Sequence, residues 1–480
     1  MTNSNEESER HDPNRREFLR NVGLFGAAAV AGPAVLAACG SSSKSTTNTT
    51  AGGATTTAAG GTATTAAGGT ATTAGGTGTS AAPAGDVGSQ LAAMLKIDAA
   101  TAAKGEDFPM ASVLALTGPG SFYGKTMSRG IDLAVKHIAA AGGPNIKVKY
   151  WDHKSGDAAA GKTAITEIVA GKYPAKLASY VDDLGAMLED TAKNKIFTLD
   201  GGGGTSIFGQ GIPYFWGTRA ITPNDVIVGQ LLWFKENYAG KKNVGLVGWD
   251  IGEPNNGKIK VDILKKIADA GLTHNGLYEL TPVGSQDYSA VFPKIKANQP
   301  DIILLGLYGQ DIGSFINQAE TAGLTAVLMG EEFTPDGVNA SKGTFEKGYT
   351  FGYDYFDPNT PKSPLAKLFV DEFKKAYGGD SPDFYAANFY ENTLVMWEMI
   401  RRVKKKGGSI LSGDDLNNAL MDDLTFVSVY GGDDKTVGTS TLDKTTHSVL
   451  KRDMGVFQYK DGKVTPLAFY GIGGDGYHKA

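Results

Sequence analysis

A single cysteine, Cys39, stands in 480 residues. No intramolecular disulfide can form, and nothing beyond that position offers a thiolate for a metal cluster or a nucleophile. Histidine is scarce as well. His11, His137, His153, His274, His447 and His478 show no His-x-x-x-His or Glu-linked spacing, which removes the common zinc signatures. The chain has no Gly-x-Ser-x-Gly elbow, and no Walker lysine follows its glycine run. Beyond the N-terminal stretch, no apolar run approaches the roughly 20 residues of a membrane-spanning helix. Nor is positive charge in excess: 46 Lys and Arg against 51 Asp and Glu leave a formal charge of -5, so no nucleic-acid partner is expected.

What is present begins at the N-terminus. Arg15 and Arg16, with Phe18 and Leu19, precede an apolar stretch of about a dozen residues from Val22 to Val35, then Leu36, Ala37, Ala38 and Cys39. A basic region, an apolar region and small residues before a cut site make residues 1–38 an export signal, too short for a span. The arginine pair resembles the twin-arginine export signal, with Asn14 where Ser or Thr is usual. Leu-Ala-Ala-Cys resembles the bacterial lipoprotein box. The resemblance implies cleavage before Cys39, a diacylglyceryl thioether on its sulfur, and a domain outside the cytoplasm that meets the membrane through lipid only.

Residues 39–85 read as a tether. From Ser41 to Gly85 the sequence is almost wholly Thr, Ala, Gly and Ser, with Lys44 as its only charge. Such composition cannot bury enough apolar surface to offset its conformational entropy. About 45 flexible residues have a mean reach on the order of 35 to 40 Å, enough for an anchored domain to meet a membrane partner.

After a lead-in at 86–107, with a helix expected over Gln90–Ala103, the body starts at Phe108 and is long enough for two domains. Met110–Leu116 reads as a strand ending in a Gly/Pro loop, Thr117 to Gly124. Met127, Ile131, Ala134 and Ile138 then mark one helix face, stopped by Gly142 and Gly143. The unit repeats, with strands at Ile146–Trp151, Lys176–Tyr180 and Ile196–Leu199 and helices at Ala158–Ala170 and Leu184–Asn194. A second series has strands at Val244–Trp249, Thr273–Leu280, Asp301–Leu307 and Ala326–Gly330, with helices at Asp225–Asn237, Lys258–Ala270, Ser289–Ala297 and Ile312–Thr321. Helices at Ser363–Tyr377 and Phe384–Lys404 and short strands near Asp453–Gln458 and Lys463–Phe469 close the chain. This alternation predicts an α/β fold with parallel sheets covered on both faces.

The order of motifs resembles the type I periplasmic binding proteins, in particular the branched-chain amino acid and amide/urea binding subunits of ABC importers. The residues that carry the resemblance are Leu116 to Gly124, Arg129 to Gly143, Asp152 to Gly156, Asp287 to Ser289, Pro300-Asp301, Tyr308-Gly309, Tyr385 to Tyr390 and Tyr459 to Lys463. The resemblance implies two doubly wound parallel-sheet lobes joined by a three-stranded hinge. Lobe I would comprise 108–221 and 356–445; lobe II would comprise 222–355, with the C-terminal strands of 446–480 on its side. It also implies a small-molecule ligand in the cleft, closure by hinge rotation, a membrane permease as partner, and a monomer.

In open α/β sheets, ligands bind beyond the carboxyl ends of the strands. In lobe I that rule selects Phe122, Tyr123, Tyr180, Asp182, and the run Gly201, Gly202, Gly203, Gly204, Thr205. In lobe II it selects Trp249, Asp250, Tyr308, Gln310, Asp311 and Glu332. The glycine run reads either as a backbone nest for a ligand carboxylate, helped by the Thr205 hydroxyl, or as a turn only. Tyr123 and Phe122 stand where the family places an aromatic lid. Asp182, Asp183, Asp250 and Asp311 suit an ammonium or amide donors, and some of them are expected to cap helices instead. Trp249 and Tyr308 could wall an apolar or cationic ligand portion. Where relatives carry Ser-Ser after the third strand, this chain has Ser179-Tyr180.

A dinucleotide loop at Gly118 to Gly124 fails because its third glycine comes one residue late and Pro119 intervenes. No cofactor and no catalysis are expected. The reading is an exported solute-binding protein for an amino acid or amide-like metabolite. The alternatives are a sensor that hands its loaded form to a receptor kinase, and a binder of aromatic acids.

Overall fold

The computed structural model describes residues 86–179, 181–202, 211–219, 223–253, 255–472 and 476–480. The export signal, Cys39, the tether, Tyr180, Gly203, Gly204 and Thr205 lie outside the described residues.

Strand β1 (Asp107–Leu114) shows why the first sheet forms. Phe108, Met110 and Leu114 enter one apolar cluster, while the alternate residues Ala111 and Val113 enter another. A strand apolar on both sides must be covered on both faces. With β2 (Asn145–Asp152), β3 (Ala175–Ala178), β4 (Phe197–Asp200) and β5 (Phe215–Gly217) it makes an all-parallel sheet in the order β2-β1-β3-β4-β5. Helices Ser121–Ala140 and Phe384–Lys405 cover one face; Ala158–Ala170 and Val181–Lys193 cover the other. Met127, Ile131, Ala134 and Ile138, the helix face expected from their spacing, are all fully buried. The N-terminal helix is shorter than expected, Val87–Met94, with Asp86 as its cap.

The second sheet contains β6 (Asn243–Asp250), β7 (Thr273–Pro282), β8 (Ile302–Gly306), β9 (Val327–Gly330) and β10 (Lys347–Asp354). A separate ribbon of β11 (Thr425–Ser428) and β12 (Gly438–Thr441) packs with the first lobe. The chain then returns to the second sheet as β13 (Arg452–Lys460), β14 (Lys463–Ile472) and β15 (Gly476–Lys479), giving the order β15-β14-β13-β10-β9-β8-β6-β7. In β8, Ile302 and Leu304 face one core while Ile303 and Leu305 face the other. The sheet is mixed, because β13, β14 and β15 attach antiparallel at the β10 edge. The β13–β14 pair is closed locally: Asp461 and Gly462 both have positive φ, 50° and 74°, the conformation of a two-residue hairpin turn that returns the chain on itself.

Strand β10 has no counterpart in the sequence reading. Gly348 and Gly352 break its apolar pattern, and stacked aromatic rings of Tyr349, Phe351 and Tyr353 hold it instead.

The chain passes between the two lobes three times: after β5, after β10 and before β13. These passes bond to one another. Val449 N–H donates to Gly217 O at 3.1 Å, and Tyr355 N–H donates to Asp453 O at 2.9 Å. Among the described residues, no helix is long and apolar enough to cross a membrane.

Candidate functional site

The loops at the carboxyl ends of the two sheets face each other between the lobes. On the lobe I side, Asp152 at the end of β2 fixes the loop after β1. Its Oδ1 accepts from Leu116 N–H at 2.9 Å and Thr117 N–H at 3.2 Å. Ser155 adds a second clamp, its Oγ accepting from Gly120 N–H at 2.8 Å and donating to Thr117 O at 2.7 Å. This loop launches the helix whose first turn carries Phe122 and Tyr123. The Tyr123 ring meets Tyr385 edge-on at 5.1 Å and Phe122 at 5.8 Å.

Gly201 and Gly202 follow β4 and are glycine for want of room. A Cβ on Gly201 would lie 2.7 Å from Asn392 Nδ2, and one on Gly202 would lie 2.6 Å from both Ser179 Cβ and Met127 Cε. The Gly202 amide already donates to Asp200 Oδ1 at 2.8 Å, and its carbonyl accepts from Arg219 Nη1 at 3.2 Å. Its N–H therefore bonds inward to the protein. Asp182 lies in the first turn of the helix Val181–Lys193.

On the lobe II side, the acids divide by role. Asp311 is 3 % exposed, and its Oδ2 accepts from Trp249 Nε1–H and from Gly284 N–H, each at 2.7 Å. It ties the ends of β6 and β7 to the helix Gln310–Thr321, and burial raises its pKa against those two bonds. Asp250 is exposed and closes its own loop, accepting from Asn256 Nδ2–H at 2.7 Å and Gly252 N–H at 3.0 Å; these bonds lower its pKa. Gln310 is exposed at the start of its helix.

Glu331 and Glu332 follow β9 and behave differently. Glu332 is 1 % exposed; its carboxylate accepts from Gly309 N–H in its own lobe and from Tyr123 Oη–H in the opposite lobe. Tyr349 Oη–H donates to its backbone carbonyl at 2.8 Å, which fixes the chain beneath it. Glu331 accepts from Tyr308 Oη–H at 2.6 Å, and the Tyr308 ring stands 5.0 Å from Trp249. Burial pushes both carboxyl groups up to about 7, against the hydrogen bonds of Tyr308 on one and of Tyr123 and Gly309 on the other.

Arg219 and Tyr385 complete the site and were not among the expected contacts, while Glu331 lies on the same strand-end loop as Glu332. Arg219 lies just beyond β5, its Nε 3.2 Å from Asp354 and its guanidinium 4.7 Å above the Phe384 ring and 5.4 Å from the Tyr385 ring. The signal for it was available: it is a basic residue just past a carboxyl strand end, at the point where the chain leaves its lobe. The structure thus brings Phe122, Tyr123, Trp249, Tyr308 and Glu332 together at the cleft. It turns Asp311 and Asp250 to internal bonds and places Gln310 at an exposed helix start. Among the described residues, no group of His, Cys, Asp and Glu is arranged to hold a metal ion.

Comparison with known proteins agrees with this geometry. A family profile described as "Periplasmic binding protein" matches residues 109–463. The Leu/Ile/Val-binding protein homolog 3 of Brucella melitensis is 24% identical over 369 residues, covering 75% of this chain and 94% of the relative. Among solved structures, the leucine binding protein LivK of Thermotoga maritima has a TM-score of 0.65 at 18% identity, covering 75% of this chain and 98% of its own. A solute binding protein of an ABC transporter from R. palustris, solved in complex with benzoate, has a TM-score of 0.62 at 19% identity, covering 76% and 96%. The family match spans most of the chain, and the two α/β lobes with a three-stranded hinge are the architecture it brings: the chain belongs to the periplasmic binding protein family and has its type I fold.

Proposed function

We propose that this chain is the extracytoplasmic, lipid-anchored substrate-binding protein of an ABC importer, capturing an amino acid or amide-like metabolite between its lobes and delivering it to a membrane permease. The observation that carries the ligand class is the pair of buried carboxyl groups, Glu331 and Glu332, set among the phenols of Tyr123 and Tyr308. Such a surface accepts N–H donors from a ligand ammonium or amide, and the aromatic rings beside it attract positive charge. The chain's task in this reading is binding and release, without catalysis. The signal at 1–38, the lipid expected on Cys39 and the tether of 39–85 support an anchored domain at the extracytoplasmic face of the cell membrane, within reach of a permease.

The aromatic wall of Phe122, Tyr123 and Tyr385 supports a second reading, an aromatic acid, and the benzoate-bound relative shows that this fold holds one. A thermal-shift screen of protein refolded free of ligand separates the two. Ligand at 100 times its dissociation constant adds about 2.7 kcal/mol of stability. A rise with amino acids or amides supports the first reading; a rise with benzoates alone replaces it with the second.

A further inference from the structure

The two adjacent glutamates hold unequal commitments. Glu332 spends one oxygen on Gly309 and the other on Tyr123 across the cleft. Glu331, 7 % exposed, takes a single bond from Tyr308 to Oε2, and its Oε1 accepts nothing among the described residues. Trp249 and Tyr308 meet edge to face at 5.0 Å beside it, two electron-rich rings next to an acid. Charge around the cleft is also uneven. Three carboxyl groups, Glu331, Glu332 and Asp354, stand near one guanidinium, and Arg219 is already paired with Asp354 at 3.2 Å. Closing the lobes over that set buries carboxyl groups whose neighbouring cations, Arg219 and Lys266, are already paired with Asp354 and Asp262, which is costly unless the ligand supplies the match.

We propose that Glu331, Tyr308 and Trp249 form a separate corner of the cleft that selects ligands bearing a second cationic nitrogen, such as a diamine, a guanidino compound or a basic amino acid. This inference rests on the amino-acid or amide reading of the same cleft. One cationic end meets Glu332 and displaces the Tyr123 phenol; the other meets Glu331 between the Tyr308 and Trp249 rings. A neutral aliphatic side chain leaves the Glu331 carboxyl with its Tyr308 bond alone, and a benzoate adds negative charge beside the two carboxyl groups.

The test is calorimetric titration of the full chain, refolded free of ligand, with putrescine, agmatine, L-lysine, L-arginine, L-leucine, L-isoleucine and benzoate. The expected result is that at least one doubly cationic or basic probe binds about tenfold or more tightly than leucine, since a desolvated charge pair discriminates at that level. Glu331→Gln should erase that preference, weakening the basic probe about tenfold more than it weakens leucine, and Tyr308→Phe should reduce the preference without removing it. Far-UV circular dichroism and the unliganded melting curve confirm that each variant folds. Leucine or isoleucine binding with no basic preference, or a preference untouched by Glu331→Gln, overturns the inference and leaves the amino-acid reading standing. Binding of benzoate alone, or of no probe, overturns both.

Discussion

Arg219 and Asp354 meet at 3.2 Å, one at the first inter-lobe pass and the other at the second. One residue leaves lobe I after β5 and the other leaves lobe II at the end of β10, so their ion pair joins the lobes through the hinge rather than across the cleft. Asp354 is fully buried, and the Arg219 guanidinium is covered by the Phe384 ring. Neither charge could be left alone there without a large desolvation cost.

Arg219→Met should therefore destabilise the protein by about 3 to 5 kcal/mol, the range for stranding one partner of a buried pair. Arg219→Met combined with Asp354→Leu should recover much of that loss, because the stranded carboxylate is gone. Urea unfolding of the two single variants and the double variant measures both effects. A double variant as unstable as the sum of the singles would mean that the pair's neighbours, not the pair, carry the cost.

Asn388 is the node of the same region. Its Oδ1 accepts from Tyr430 Oη–H at 2.6 Å and Arg452 Nη1–H at 2.8 Å, and its Nδ2–H donates to Gly201 O at 3.0 Å. Arg452 ends the third pass as the first residue of β13 and pairs with Glu391 at 2.7 Å, both inside the protein. Asn388→Leu keeps the volume but leaves one guanidinium N–H without its acceptor and Gly201 O without its donor, and reduces the Tyr430 phenol to its 3.2 Å bond to Phe384 O, an expected loss of about 2 to 4 kcal/mol. Since Gly201 opens the glycine run at the cleft, ligand affinity should fall with it. A variant of wild-type stability would show that water takes over these bonds.

The hinge network was not legible in the sequence, and the reason is sequence distance. Arg219, Asp354, Asn388 and Arg452 come from four separate segments, and nothing local marks any one of them as a partner of the others. The helix face of Met127, Ile131, Ala134 and Ile138 was legible because burial at a spacing of three and four is a local pattern. At the cleft, the strand-end rule found Tyr123, Tyr308 and Glu332, but it could not tell a carboxylate facing the cleft from one such as Asp311 that braces its own lobe. That difference depends on which indole and which amide the fold delivers. β10 escaped because its glycines resemble a turn, and the ring stack along it gains Phe457 only once β13 lies alongside.

Tyr123 donates across the cleft to Glu332, so the contact belongs to the closed arrangement of the lobes. Tyr123→Phe keeps the ring against Tyr385 and removes only the hydroxyl. Hydrogen bonds to charged groups contribute roughly 1.5 to 3 kcal/mol, and that energy should appear as a shift of the ligand-free protein toward open forms. Small-angle scattering should register a larger radius of gyration for the ligand-free variant, while the urea midpoint changes little because Gly309 N–H still serves Glu332. An unchanged radius would mean that hinge packing alone sets the closed population.

Glu331 and Glu332 also make stability depend on pH, with a sign opposite to that of ordinary paired carboxylates. Each moves from an unfolded value of 4.5 to about 7 in the fold, chiefly because burial disfavours the charged form. The groups that face them are the phenols of Tyr123, Tyr308, Tyr349 and Tyr385, the Arg219 guanidinium and the Lys266 ammonium. Between pH 4.5 and about 7 the folded protein holds protons that the unfolded chain has released, so stability falls as pH rises through that window. The contribution is fully present below 4.5 and lost above 7. Urea midpoints of the ligand-free protein at several pH values across the window should decline more steeply for wild type than for the Glu331→Gln, Glu332→Gln double variant. That comparison isolates these two groups from Asp311, whose pKa burial also raises. Equal slopes would mean that the two carboxyl groups ionise in the fold as they do in water, and that the cleft is wetter than its burial implies.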